Sequence, residues 1–234
     1  MEHLRREGYH PRSNKHSDTL AQCIVTDLLA LCPPLRRRAR DGEIVYDLNF
    51  DLHVRTATWN VDLVLGRPAV SVALTDQDIL RAPPSTTEIA IEIKSVMTEH
   101  RKAVKNRKRD LEAHHEHVRG YSPRTISGGV FVLNQALQFA SPLRSEPIVH
   151  GGGKRDRVQA VVSHCISEMR NVEERADVSR TGLDAKCVIV VDMDNINLPA
   201  AAYQTRPPAP QVGDPLHYDA FLQKICSLYQ ERFL

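Results

Sequence analysis

Asp62, Glu92 and Lys94 have the types and spacing to manage a metal ion and a reacting water. The stretch Glu88-Ile89-Ala90-Ile91-Glu92-Ile93-Lys94-Ser95 alternates apolar and polar residues at period two, with β-branched isoleucines on one side, which is the pattern of a strand with one buried face. Glu92 and Lys94 then share the other face, their α-carbons about 6 to 7 Å apart. That is close enough for a carboxylate-bound metal and a water held by the ammonium to lie side by side. On the residues alone, a solvated strand face gives the same pattern. Upstream, Thr58-Trp59-Asn60-Val61-Asp62-Leu63-Val64-Leu65-Gly66 reads as a second strand in which Asp62 has apolar neighbours on both sides. A carboxylate there is costly unless it is paired or bound to a cation.

The elements that must position these groups follow from periodicity. Two strands, 43–55 and 58–66, have a short connection and are expected to form an antiparallel hairpin. A long helix over 98–119 follows Lys94 and carries Arg101, Lys102, Lys105, Arg107, Lys108, Arg109 and Arg119 against Glu99, Asp110, Glu112 and Glu116. Its apolar residues are sparse, so much of its surface faces water or a polyanion such as a phosphate backbone. His114-His115-Glu116-His117 falls at the expected last turn, where histidines suit the helix dipole. With no acid or cysteine at ligand spacing, that reading is preferred to a metal cluster.

An acid on one strand, Glu-x-Lys on the next and a helix directly after resembles the PD-(D/E)xK, restriction-endonuclease-like nuclease superfamily. The matching residues are Asp62, Glu92 and Lys94, and Val61 stands where the family often has proline. The resemblance covers about 17–134. It implies an α/β fold with a mixed central sheet flanked by helices, and a restriction-endonuclease-like core. It also implies metal-dependent hydrolysis of DNA phosphodiesters, with Asp62, Glu92 and the backbone carbonyl of Ile93 holding Mg²⁺, for which Mn²⁺ can substitute. Lys94 would orient the water. Arg101, Lys102, Lys105, Arg107, Lys108 and Arg109 would hold double-stranded DNA. In this family an acid on the first helix sometimes adds a metal ligand, which draws attention to Asp18 and Asp27, although an acid in the first turn and a surface acid are the simpler readings.

The rest of the chain fills in around that core. Residues 1–16 lack periodicity and are expected to be a flexible segment ahead of a single domain over 17–234. Ser17 can cap a helix with Leu20, Ile24, Leu28 and Leu31 on one stripe, ended by Pro33-Pro34 and followed by a basic loop at 36–40. The stretch 67–84, with an apolar run at 70–74, reads as a loop with room for one extra strand. Ser127-Gly128-Gly129 opens a strand at 130–134, and Gly151-Gly152-Gly153 leads flexibly into a helix over 154–174. The apolar run 185–191 is a strand buried on both faces, ending in Asp192-Met193-Asp194-Asn195. That ending also resembles the first motif of haloacid-dehalogenase-type phosphotransferases, but little chain follows it. The segment Arg206-Pro207-Pro208-Ala209-Pro210 reads as an extended linker, and 216–233 as an amphipathic helix with Phe221, Ile225, Leu228 and Tyr229 on one face.

Composition bounds the possibilities. A chain of 234 residues with 41% hydrophobic content can bury one good core, and a net charge of +2 means that any anionic partner must be met by a local patch. The five cysteines form no C-x-x-C pair and are expected to be reduced, as in a cytoplasmic protein. No run is apolar enough for a membrane span. Cutting both strands of a duplex requires two opposed sites, so a homodimer using the apolar face of 216–233 is one expectation. A type II restriction-type endonuclease is the favoured function. The alternatives are a non-specific or structure-specific nuclease of a defence or repair system, a nucleic-acid-binding module without catalysis, and a phosphatase-like enzyme using Asp192 and Asp194.

Overall fold

The computed structural model describes residues 1–54, 56–71 and 77–234. Most of the apolar run at 70–74, with its expected extra strand, and the end of the expected strand at Arg55 therefore lie outside the described residues. In chain order the elements are α1 (Glu2–Glu7), α2 (Lys15–Leu31), α3 (Pro33–Arg40), β1 (Val45–Val54), β2 (Ala57–Gly66), β3 (Leu80–Arg81), β4 (Ile89–Val96) and α4 (His100–Tyr121). They continue as β5 (Ile126–Asn134), β6 (Gln138–Phe139), β7 (Ile148–Val149), α5 (Arg155–Arg170), β8 (Ala185–Asp192), β9 (Ala202–Tyr203) and α6 (Tyr218–Phe233).

The fold is α/β with a mixed sheet. Among the described residues it has seven strands in the order β3-β1-β2-β4-β5-β8-β9. β1, β2 and β4 run antiparallel in succession, and β4, β5 and β8 are parallel, joined through α4 and α5. Parallel strands need covering on both faces, and every residue of β5 is buried. On one face, Ile24 and Leu28 of α2 and Phe221 and Ile225 of α6 pack with Leu63, Ile91, Val130 and Cys187. On the other, Val104 and Leu111 of α4 and Val158, Val162 and Met169 of α5 pack with Phe131, Leu133, Val188 and Val190.

The expected hairpin is present, with an irregularity that matters for the site. Asn49 of β1 has a left-handed backbone (φ 53°) and lies between the pairs Leu48↔Leu63 and Phe50↔Val61. Residues 48, 50 and 52 of a regular strand would share a face. Instead Leu48 joins Leu63 and Leu65 beneath α2, whereas Phe50 and Leu52 pack with Val61 and Val64 against Val118 of α4. The left-handed residue shifts the alternation by one, so the far end of the hairpin turns toward α4.

Several sequence expectations are corrected. Pro33 and Pro34 occupy the first positions of α3, where the missing N–H is not needed, so the stretch read as a basic loop is helical. Arg38 within it is buried, donating to Glu88 and Tyr229. Residues 1–16, aperiodic in sequence, contain α1, and the Tyr9 N–H donates to Asn195 Oδ1 at 2.8 Å. The helix at the N-terminal side of the domain begins at Lys15, with Asn14 rather than Ser17 at its cap. Two of the cysteines expected to be reduced, Cys32 and Cys226, are joined in a disulfide between the end of α2 and α6, with α-carbons 5.5 Å apart. The apolar face of α6, expected to be available for a dimer interface, is covered by the chain's own sheet: Phe221, Leu222, Ile225 and Tyr229 are all buried.

Candidate active site

The site forms where two strands part. β2 and β4 are paired only through Leu63↔Ile91, Val64↔Ala90 and Leu65↔Ile89, leaving the next backbone groups of β4 without a partner on the β2 side. Asp62 fills the gap, its Oδ2 accepting the Ile93 N–H at 2.7 Å. Because a strand residue's N–H and C=O point the same way, the Ile93 carbonyl is turned toward the same gap. The Lys94 ammonium lies 3.9 Å from Asp62 Oδ2 and in direct contact with Glu92 Oε1. The structure thus brings Asp62, Glu92, Ile93 and Lys94 together.

The alternation correctly puts Glu92 and Lys94 on one face, but that face is not solvated. α4 covers it, and Glu92 is only 2% exposed. Burial pushes the Glu92 carboxyl up to about 7; the Asp62 charge adds to the shift and Lys94 opposes it. Burial also raises Asp62, with Asp18 contributing, against the pull of Lys94 and the Ile93 N–H. For Lys94, burial alone would lower the pKa, but the Glu92 and Asp62 carboxylates more than offset it and hold the ammonium charged. The three groups form a cation-seeking pair of acids with one resident cation.

Sequence reasoning missed two residues here. His114 of α4 is fully buried, with Nδ1 3.8 Å from Glu92 Oε2. Burial pushes its imidazole down to about 3, so the ring is neutral. The expected last-turn reading fails because α4 continues to Tyr121 and His114 belongs to the inward stripe with Val104, Leu111 and Val118. That stripe was the available signal. His115 and His117 have other partners: the Gly182 N–H donates to His115 Nδ1, and His117 stacks on Trp59 at 4.7 Å. The second residue is Asn49, whose Nδ2 donates to Asp18 Oδ1 at 2.8 Å. Asp18 therefore stands beside the gap, while Asp27 accepts the Tyr218 hydroxyl at 2.8 Å and lines an apolar cavity of about 410 Å³.

On the basic helix, Arg101, Lys102, Lys105, Arg107 and Arg109 are exposed and Lys108 is half-buried. Two of the six are already paired, Arg107 with Asp110 at 2.9 Å and Lys108 with Glu168 at 3.8 Å. The Asp110 charge acts on Lys94, which puts the middle of α4 next to the gap. Asp192 and Asp194 both line a cavity of about 360 Å³ beside Arg155 and Asn197, but each carboxylate is already engaged. Asp192 pairs with Arg155 at 3.0 Å, and Asp194 Oδ1 accepts the N–H groups of Ile196 and Asn197 in a turn.

No family model, curated protein or solved structure matches the chain. Among the described residues no group of three or more His, Cys, Asp or Glu side chains forms a metal cluster, and no helix is long and apolar enough to cross a membrane. Two carboxylates, a backbone carbonyl and water nevertheless make a donor set suited to Mg²⁺, which keeps several of its waters. The fit shows in the Lys94 cation already set against Glu92 Oε1 and Asp62 Oδ2.

Proposed function

We propose that this protein is a Mg²⁺-dependent endonuclease of the restriction type that hydrolyses DNA phosphodiester bonds. The observation that carries the reading is the convergence of Asp62, Glu92, the Ile93 backbone and Lys94 on the gap between β2 and β4. The strand directions around that gap, with β1, β2 and β4 antiparallel and β4 and β5 parallel, make the central sheet mixed, as the sequence resemblance implies.

Asp62, Glu92 and the Ile93 carbonyl would hold the metal. When bound, Mg²⁺ supplies Lewis-acid polarisation of a phosphoryl oxygen and lowers the pKa of a coordinated water. The chain's own contribution is placement. Lys94, kept charged by its two acids, donates to the attacking water and to the oxygen on which charge builds, a stabilisation strongest in the transition state. With a metal held by Asp62 and Glu92, Lys94 would be free to turn from their carboxylates toward the water. The exposed cations of α4, Arg101 and Lys105 among them on the side toward α5, suit the phosphates of a duplex. Cutting both strands would take a two-fold pair of chains, joined by a surface other than the buried face of α6.

Incubating the full chain with long duplex DNA, in Mg²⁺ and in excess EDTA, tests this reading. Discrete fragments that depend on Mg²⁺ support restriction-type cleavage, and a smear supports a non-specific nuclease of a defence or repair system. Binding without cleavage under Mg²⁺ or Mn²⁺ would replace the reading with a catalytically inactive binding module, and full cleavage in EDTA would end it.

A further inference from the structure

Three buried polar atoms without hydrogen-bond partners meet behind the candidate site: Glu92 Oε2 and both ring nitrogens of His114. Such atoms are uncommon in folded proteins, and each calls for a physical explanation. The Ala90 carbonyl lies within reach of the His114 ring without a well-formed hydrogen bond, and Nδ1 stops 3.8 Å from Glu92 Oε2. The other oxygen of the same carboxylate, Oε1, is held by Lys94. Glu92 is thus gripped from the gap side and left loose from the helix side.

We propose that His114 is a positioning residue that fixes Glu92 for metal binding by donating from Nδ1–H to Oε2 when a cation enters the gap; this rests on the nuclease reading above. A cation bound at Oε1 in place of the Lys94 ammonium would leave the carboxylate free to rotate, and a shift of less than 1 Å would bring Oε2 within the usual 2.7–3.2 Å of Nδ1. Outer partners of this kind orient a ligating carboxylate, and their loss costs about 10- to 100-fold in metal affinity. The position on α4 suits the role. Val104, Leu111 and Val118 fix the helix against the sheet, so the ring is set by packing and Glu92 is the group that moves.

Calorimetric titration of the full chain with Mn²⁺ alone provides the test, because it reads metal affinity without turnover. Asparagine places an amide N–H near the position of Nδ1–H, whereas the longer glutamine places its amide N–H near that of Nε2. His114→Asn is expected to stay within about threefold of wild type and His114→Gln to lose about 10- to 100-fold. In a Glu92→Gln background the two variants should no longer differ from each other, since the group being positioned is gone. Comparable thermal melts of the two single variants separate positioning from folding. Asn and Gln variants that bind Mn²⁺ equally, whether both tightly or both weakly, would overturn the inference while leaving the nuclease reading intact. Wild-type chain whose Mn²⁺ affinity is unchanged by Glu92→Gln would overturn both.

Discussion

Glu92 sits where its own charge is unfavourable, and that has a measurable consequence for the metal-free protein. Its folded-state pKa is raised from 4.5 to about 7, so between those values the folded chain binds a proton that the unfolded chain releases. Stability from this group is therefore fully present below about pH 4.5 and declines as pH rises toward 7. Glu92→Gln removes the buried charge, and above pH 7 the metal-free variant should be more stable than wild type by about 1–3 kcal/mol. Near pH 4.5 the gain should shrink toward zero. Urea unfolding at both pH values checks this, and an equal effect at both would mean that Glu92 is not the buried acid described. Lys94→Ala has the opposite sign, because it leaves the carboxylate without its cation; a loss of about 1–3 kcal/mol above pH 7 is expected.

At the scale of elements, the hairpin and α4 each make a separable contribution. Asn49 holds a left-handed backbone that glycine adopts freely and alanine does not. Asn49→Ala should be less stable than Asn49→Gly by about 1 kcal/mol in chemical denaturation, and the same stability for both would show that the strand shift does not depend on that conformation. On α4, neutralising Arg101, Lys102, Lys105 and Arg109 should weaken duplex binding and reduce its log-log salt slope by about one per lost phosphate contact. Arg107 and Lys108 should contribute less, being engaged by Asp110 and Glu168. The strands and the co-facial placement of Glu92 and Lys94 were legible because period-two alternation survives any surroundings. Whether their face met water was not legible, since that depends on where α4 packs. His114 was hidden because the sequence end of α4 was placed one half-turn early. α3 was hidden because a Pro-Pro pair can open a helix as readily as close one.

For the whole molecule, buried neutral histidines set the response to acid. Burial lowers His16 and His100 from 6.5 to about 4 and His114 to about 3. Each favours the folded state above pH 6.5 and withdraws that support as pH falls toward its folded value, by on the order of 3 kcal/mol per group. Glu92 and Asp62, both raised by burial, act in the opposite sense over part of the range, and the three histidines, joined by His115 and His150, which burial also lowers, prevail. The melting temperature of the metal-free chain should fall steadily between pH 6.5 and 4, and a flat profile would contradict the burial of these rings. The central claim is that the β2–β4 gap is a catalytic centre, and a single-turnover cleavage assay on duplex DNA in Mg²⁺ with the Lys94→Ala variant tests it most directly. The expected result is a fall in rate of two orders of magnitude or more with duplex affinity unchanged, because the ammonium acts mainly in the transition state. Cleavage by Lys94→Ala at the wild-type rate would contradict it.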